Sequence, residues 1–128
     1  MVDGLRSLGK RVTEFDGTLE GFQAPPLVTN VEMVSDEVYS SCPVTGQPDF
    51  YTVTISYQPD KLCVESKSLK LFLQSFATKG VFCEAISQVI LDRVWADIAP
   101  RSCRVDVVQK PRGGISITAS AFREEGLP

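Results

Sequence analysis

The sequence predicts an α+β fold: an antiparallel four-stranded sheet covered on one face by two helices, in the order ββααββ. Three observations predict it. FYTVTISY (50–57) alternates with period two, two successive segments within 68–98 carry apolar residues three and four apart, and a second alternating pair flanks a Pro/Gly turn at 110–114. A chain of 128 residues has room for one such unit and one modest core.

Residues 1–26, Gly-rich and polar and closed by Ala24-Pro25-Pro26, read as an N-terminal arm ahead of a single domain over 27–128. LVTNVEMV supplies a first strand over 27–34, β-branched but imperfectly alternating. In the second strand Tyr51, Val53, Ile55 and Tyr57 share one face, Thr52, Thr54 and Ser56 the other, and Gln58-Pro59-Asp60 stops it. Leu69, Phe72 and Phe76 define a helix over 68–79 with Gly80 as its stop. A second helix follows, with Phe82, Ala85, Ile86, Val89, Ile90, Val94 and Ile98 as its apolar stripe and Pro100 closing it. Val105 and Val107, then Ile115, Ile117, Ala119 and Ala121, form the final hairpin about Lys110-Pro111-Arg112-Gly113-Gly114. The open sheet leaves two strand edges and a Thr/Ser-lined face, which self-association would cover.

Composition narrows the function. No apolar run is long enough to span a membrane, and MVDGLRSLGKRV lacks the apolar block of a secretory leader, so a cytoplasmic protein is expected. A net charge of −3 disfavours a phosphate-tracking surface, which points to a small-molecule partner and not to nucleic acid. The chain has no histidine, so any catalysis proceeds without imidazole. Cys42, Cys63, Cys83 and Cys103 form no C-x-x-C pair, so no metal site is expected.

Three stretches carry candidate chemistry. In SSCPVTGQPDF, Cys42 and Asp49 bracket a turn; cysteine is among the most buried residue types, and the residues alone leave it open as packing thiol or nucleophile. In VESKSLKLF, Lys67 and Lys70 project to one side of a helix start, as a phosphate site or as a solvated basic face, and Glu65 is placed to cap the helix or to bind a ligand. In GVFCEA, Glu84 sits in the first turn of the second helix, where the dipole favours a carboxylate with or without a ligand.

As a set, SCPVTGQPDF, ESKSLKLF, SF, G-x-F-x-E and PRGGI resemble, in order and spacing, the short single-domain NADPH-dependent 7-cyano-7-deazaguanine reductases, the QueF family, over nearly the whole domain. The resemblance implies a tunnelling (T-fold) domain that joins its sheets into an oligomeric barrel, a homo-oligomer of stacked pentamers with active sites between subunits. It implies that Cys42 attacks the substrate nitrile to form a thioimide and that Asp49 donates the proton. By the same carry-over Val64, Glu65, Ser66, Cys83 and Glu84 line the substrate site, Glu84 reading the deazaguanine edge, while Ser66, Lys67 and Lys70 belong to the NADPH signature. The expected product is 7-aminomethyl-7-deazaguanine, on the route to queuosine in tRNA.

One position departs from the pattern: the family's glutamate is commonly preceded by histidine, and here Cys83 stands there. Two other functions share these features. One is an amidine-forming enzyme of the same fold acting on nucleic-acid-bound 7-cyano-7-deazaguanine, which lacks the ESKSLK signature; the other is a non-catalytic purine- or pterin-binding barrel, against which the Cys42–Asp49 pair argues.

Overall fold

The computed structural model describes residues 14–126. Its elements in chain order are β1 (Gly21–Gln23), β2 (Val31–Ser41), β3 (Pro48–Gln58), β4 (Leu62–Val64), α1 (Ser66–Gln74) continued by a 3-10 turn (Ser75–Thr78), α2 (Cys83–Ile98), β5 (Ser102–Arg112) and β6 (Ile115–Glu124). The main sheet is antiparallel throughout, ordered β2-β3-β5-β6, and both helices lie on one face. That is the expected architecture, with one addition. β1 and β4 pair as a small second sheet, Gly21 opposite Val64.

The core follows from alternation. Tyr51, Val53, Ile55 and Tyr57 of the interior strand β3 are buried, as are Cys103, Val105 and Val107 of its neighbour β5. Onto them α2 presses Ile86, Ile90, Val94 and Ile98. The α2 stripe is rotated from the one expected: Phe82 and Val89 are 57% and 42% exposed, while Cys83 and Leu91 turn inward. Phe82 is the extended N-cap of the helix, so helical periodicity does not apply to it.

Of the arm expected over 1–26, residues 1–13 lie outside the described residues, as do 127–128 of the domain, and the rest packs onto the domain. Leu19 is part of the core, its N–H donating to Asp97 Oδ2 at 2.6 Å, and Asp97 in turn is paired with Arg93, which also donates to the Gly17 carbonyl. The Glu65 N–H donates to the Glu20 carbonyl and the Glu20 N–H to Ser68 Oγ, so residues 17–23 are tied to both helices. The first strand also shifts, from the expected 27–34 to Val31–Ser41.

α1 begins at Ser66, two residues before the expected start, because Glu65 caps it. The buried Glu65 carboxylate accepts the N–H of Lys67 at 2.7 Å and of Ser68 at 2.8 Å. Glu65→Ala strands both donors in a buried setting and is expected to cost about 1–2 kcal/mol, read as a lower urea midpoint at unchanged slope.

Candidate active site

Two β-bulges decide which side chains share a face. Along β2 the inward positions are Val31, Met33 and Ser35, but the register shifts between Ser35 and Val38, after which Val38 and Ser40 face inward. Cys42 follows in the new phase, on the side of the sheet where Asp49 and Tyr51 lie. A second shift lies in β5 between Gln109 and Arg112. It returns Arg112 to the face of Val107 and Gln109, diagonal to Asp49, where an unbroken strand would have pointed it the other way.

The turn between β2 and β3 then closes over Cys42. The Cys42 N–H donates to the Gln47 carbonyl at 2.7 Å, continuing the ladder, and the Gly46 N–H donates back to the Cys42 carbonyl at 2.9 Å. Gly46 takes φ +73°, which a side chain would strain. Inside this turn the half-buried sulfur accepts hydrogen bonds from the Thr45 hydroxyl and from the backbone N–H groups of Thr45 and Val44, which draw the thiol down from 9.0 to about 7 against burial and the charge of Asp49. The chain has no imidazole for this, so hydrogen bonds from the turn replace it. Thr45→Val removes the largest of these donors; the pH midpoint for alkylation of Cys42 is expected to rise above about 7 and to return with Thr45→Ser, measured by iodoacetamide labelling.

Asp49, 6% exposed at the start of β3, accepts from Arg112 Nη1 at 2.6 Å, and Arg112 Nη2 reaches Gln47 Oε1 at 2.9 Å. Beneath the pair the Tyr51 and Ser40 hydroxyls share a 2.7 Å hydrogen bond, and burial pushes the phenol up. Cys83 is buried under the sheet, its thiol donating to the Val107 carbonyl at 3.3 Å and pushed up by burial. The thiol therefore faces the core of this chain, not solvent. All four cysteines are free. Glu84, exposed on the first turn of α2, lies at the same end of the sheet as Cys42, because Ser41 bridges Gly80 and its N–H donates to the Lys79 carbonyl.

The other expected site residues are elsewhere. The Val64 N–H donates to Tyr57 Oη at 2.8 Å, and Tyr57 is eight residues along β3 from Asp49, a separation of roughly 26 Å at the rise of an extended strand. Val64 and the adjoining Glu65 thus stand toward the end of the sheet away from Cys42. Ser66 and Lys70 line a cleft of about 370 Å³ between α1 and the β2 bulge, opposite Asp36 and Glu37. The α1 N–H groups expected to favour an anion beside the lysines are capped by Glu65, so side chains, not the helix terminus, are left to hold one. Among the described residues no cluster of His, Cys, Asp or Glu suits a metal, and no helix is long and apolar enough to cross a membrane.

Thr45 and Arg112 are the partners that sequence reasoning missed. Pro111 was the available signal for Arg112: a proline inside a paired interior strand marks a bulge.

Comparison with known proteins gives this geometry its context. The chain is 43% identical over 104 residues to the NADPH-dependent 7-cyano-7-deazaguanine reductase of Rhodopirellula baltica, covering 80% of this chain and 86% of that one. It is 44% identical to the same-named protein of Chlorobium phaeobacteroides, over 75% of this chain and 81% of that one. The crystal structure of the archaeosine synthase QueF-Like in the apo form superposes with a TM-score of 0.72 at 21% identity, covering 83% of this chain and all of that one, a likeness that shows the tunnelling fold. The family model for QueF-like protein matches residues 48–126, from the strand that carries Asp49 through Glu84 and the Arg112 hairpin, and with relatives this similar over three quarters or more of the chain, the chain belongs to the QueF-like family.

Proposed function

We propose that the protein is an NADPH-dependent nitrile reductase that converts 7-cyano-7-deazaguanine to 7-aminomethyl-7-deazaguanine for queuosine synthesis, acting in the cytoplasm on the free base and not on nucleic acid. The observation that carries this reading is the thiol of Cys42, held near neutrality by its own turn, beside the buried carboxylate of Asp49 in a chain whose relatives bear that activity in their names.

In the mechanism Cys42 attacks the nitrile carbon as thiolate and Asp49 supplies the proton that the nitrogen gains, giving a thioimide. Glu84, whose two oxygens suit a pair of adjacent N–H donors, holds the deazaguanine edge. Cys83 is the floor beneath this site. Its buried thiol supports the first turn of α2 and leaves recognition to Glu84. NADPH, when bound, would supply the hydrides for reduction to the amine. Ser66, Lys67 and Lys70 are hydroxyl and ammonium donors of the kind phosphate oxygens need, and they would hold that end of the cofactor.

Val64 stands toward the end of the sheet away from Cys42, and Ser66 and Lys70 line the cleft at the β2 bulge and not the Cys42 turn, so the complete site needs a second copy, which contributes these residues from its own chain. The sheet face away from the helices supports this: Val34, Tyr39, Phe50, Val108 and Phe122 are exposed on it, and among the described residues β2 and β6 leave two long unpaired edges. Stacked pentamers satisfy both. Light scattering at assay concentration is expected to give a mass several times that of one chain, and a monomer contradicts the shared site. The deciding assay for function is NADPH oxidation on adding 7-cyano-7-deazaguanine; a covalent adduct with no NADPH consumed would point to amidine formation instead.

A further inference from the structure

Arg112 pairs with one of the two groups to which the proposed chemistry falls and carries its charge close to the other. Its Nη1 donates to Asp49 Oδ1 at 2.6 Å, its Nη2 to Gln47 Oε1 at 2.9 Å, and the guanidinium lies near enough to the Cys42 sulfur for the two charges to interact. The ion pair exists only while Asp49 is a carboxylate, yet a group that protonates a nitrile nitrogen must first carry a proton. One of the two arrangements must therefore give way to the other during turnover.

The location of Arg112 permits that exchange. The β5 bulge aims it at Asp49, but its side chain remains 39% exposed while that of Asp49 is 7% exposed, and the hairpin turns directly after it at Gly113 and Gly114, both at positive φ. The carboxylate is fixed by burial and the guanidinium is free to withdraw toward solvent. The titratable groups around Cys42 are Asp49 from β3, Arg112 from β5, the Tyr51 phenol, and Cys83 with Glu84 on α2. Arg112 is the cation in contact with this otherwise acidic set.

We infer that Arg112 is the shared counter-ion of Cys42 and Asp49: paired, it screens the carboxylate charge from the thiolate, and its withdrawal lets Asp49 take up the proton destined for the nitrile nitrogen. This rests on the nitrile-reductase reading. The step balances within the site. The Cys42 thiol proton passes to Asp49, the sulfur–carbon bond forms as one carbon–nitrogen π bond breaks, the electron pair moves to nitrogen, and nitrogen takes the proton from Asp49. Asp49 ends as the carboxylate that Arg112 can pair with again.

Iodoacetamide alkylation against pH, read by intact mass, tests the screening without any nitrile; Cys63, Cys83 and Cys103 are buried, and a Cys42→Ala control removes the signal. Arg112→Leu is expected to move the Cys42 midpoint upward from about 7 by about half a pH unit or more, and Arg112→Lys to recover most of that shift. In an Asp49→Asn background the effect of Arg112→Leu should shrink by at least about half, because the charge that Arg112 screens is gone. Arg112→Gln, which keeps a hydrogen bond to Asp49 without the charge, should repeat the upward shift if the leucine variant does not fold. An unmoved midpoint, or an equal shift in the Asp49→Asn background, overturns the inference. Per unit of thiolate, Arg112→Gln should form the thioimide at least as fast as the native chain, and a rate about tenfold lower overturns the part played by withdrawal. An absent adduct in the native chain would be failure of the nitrile reading itself, visible separately from the alkylation result.

Discussion

Mixed with 7-cyano-7-deazaguanine, the native chain is expected to develop the long-wave absorbance of a thioimide, and Cys42→Ala to show none while NADPH oxidation falls by at least about 10⁴-fold. The size of the loss follows from what the chain lacks. It has no histidine to activate a water or a neighbouring hydroxyl, so nothing replaces a missing nucleophile. Cys42→Ser should recover little, because the turn donors of Val44 and Thr45 stabilise an anion that a serine hydroxyl does not form near neutral pH. The fold should survive either change, since Cys42 lies half-buried in a turn held by backbone hydrogen bonds, and thermal unfolding of the variants checks that. An adduct that appears equally in Cys42→Ala would place the covalent bond elsewhere and end the assignment of Cys42.

The residues of regular period were legible from the sequence, and the site largely was not, for one physical reason. FYTVTISY gave β3 its buried face because nothing interrupts its alternation, and Ile86, Ile90, Val94 and Ile98 gave α2 its stripe in the same way. The two side chains that flank Asp49 depend instead on interruptions. Cys42 and Arg112 each reach the face of Asp49 through an extra residue in a strand, and a bulge leaves only faint marks in a sequence: the imperfect alternation of β2, and Pro111 in β5. Resemblance supplied Cys42 and Asp49 without that geometry. It did not supply Arg112 as the partner of Asp49, nor Thr45 as a donor to the sulfur. Glu65, which its place before the helix offered as a cap or a ligand contact, gives its carboxylate to the start of α1. The anchoring of residues 17–23 was not legible, because the sequence shows their glycines and the prolines that follow but not the carboxylate of Asp97, 78 positions away, that holds Leu19.

Asp49→Asn is expected to change two observables in opposite directions. Turnover should fall by about 10²–10⁴-fold, because an amide has no proton of suitable acidity to give the nitrile nitrogen. Alkylation of Cys42 at a fixed pH below about 7 should become faster, because the charge of Asp49 works against the thiolate and the substitution removes it. Shape is conserved: the Asn oxygen can still accept from Arg112 Nη1, so the β3–β5 contact persists and loss of activity cannot be assigned to a displaced hairpin. A residue that merely braced the turn would lower turnover and leave thiol reactivity unchanged or reduced. A residue that stabilised the thiolate would lower both. Slower turnover on a more reactive thiol is the signature of a proton donor, and stopped-flow measurement of thioimide formation beside iodoacetamide labelling separates the three. If Asp49→Asn formed the thioimide at the native rate, the proton would have to come from another group, and Tyr51, hydrogen-bonded to Ser40 beneath the pair with its phenol pushed up by burial, would be the side chain to test next.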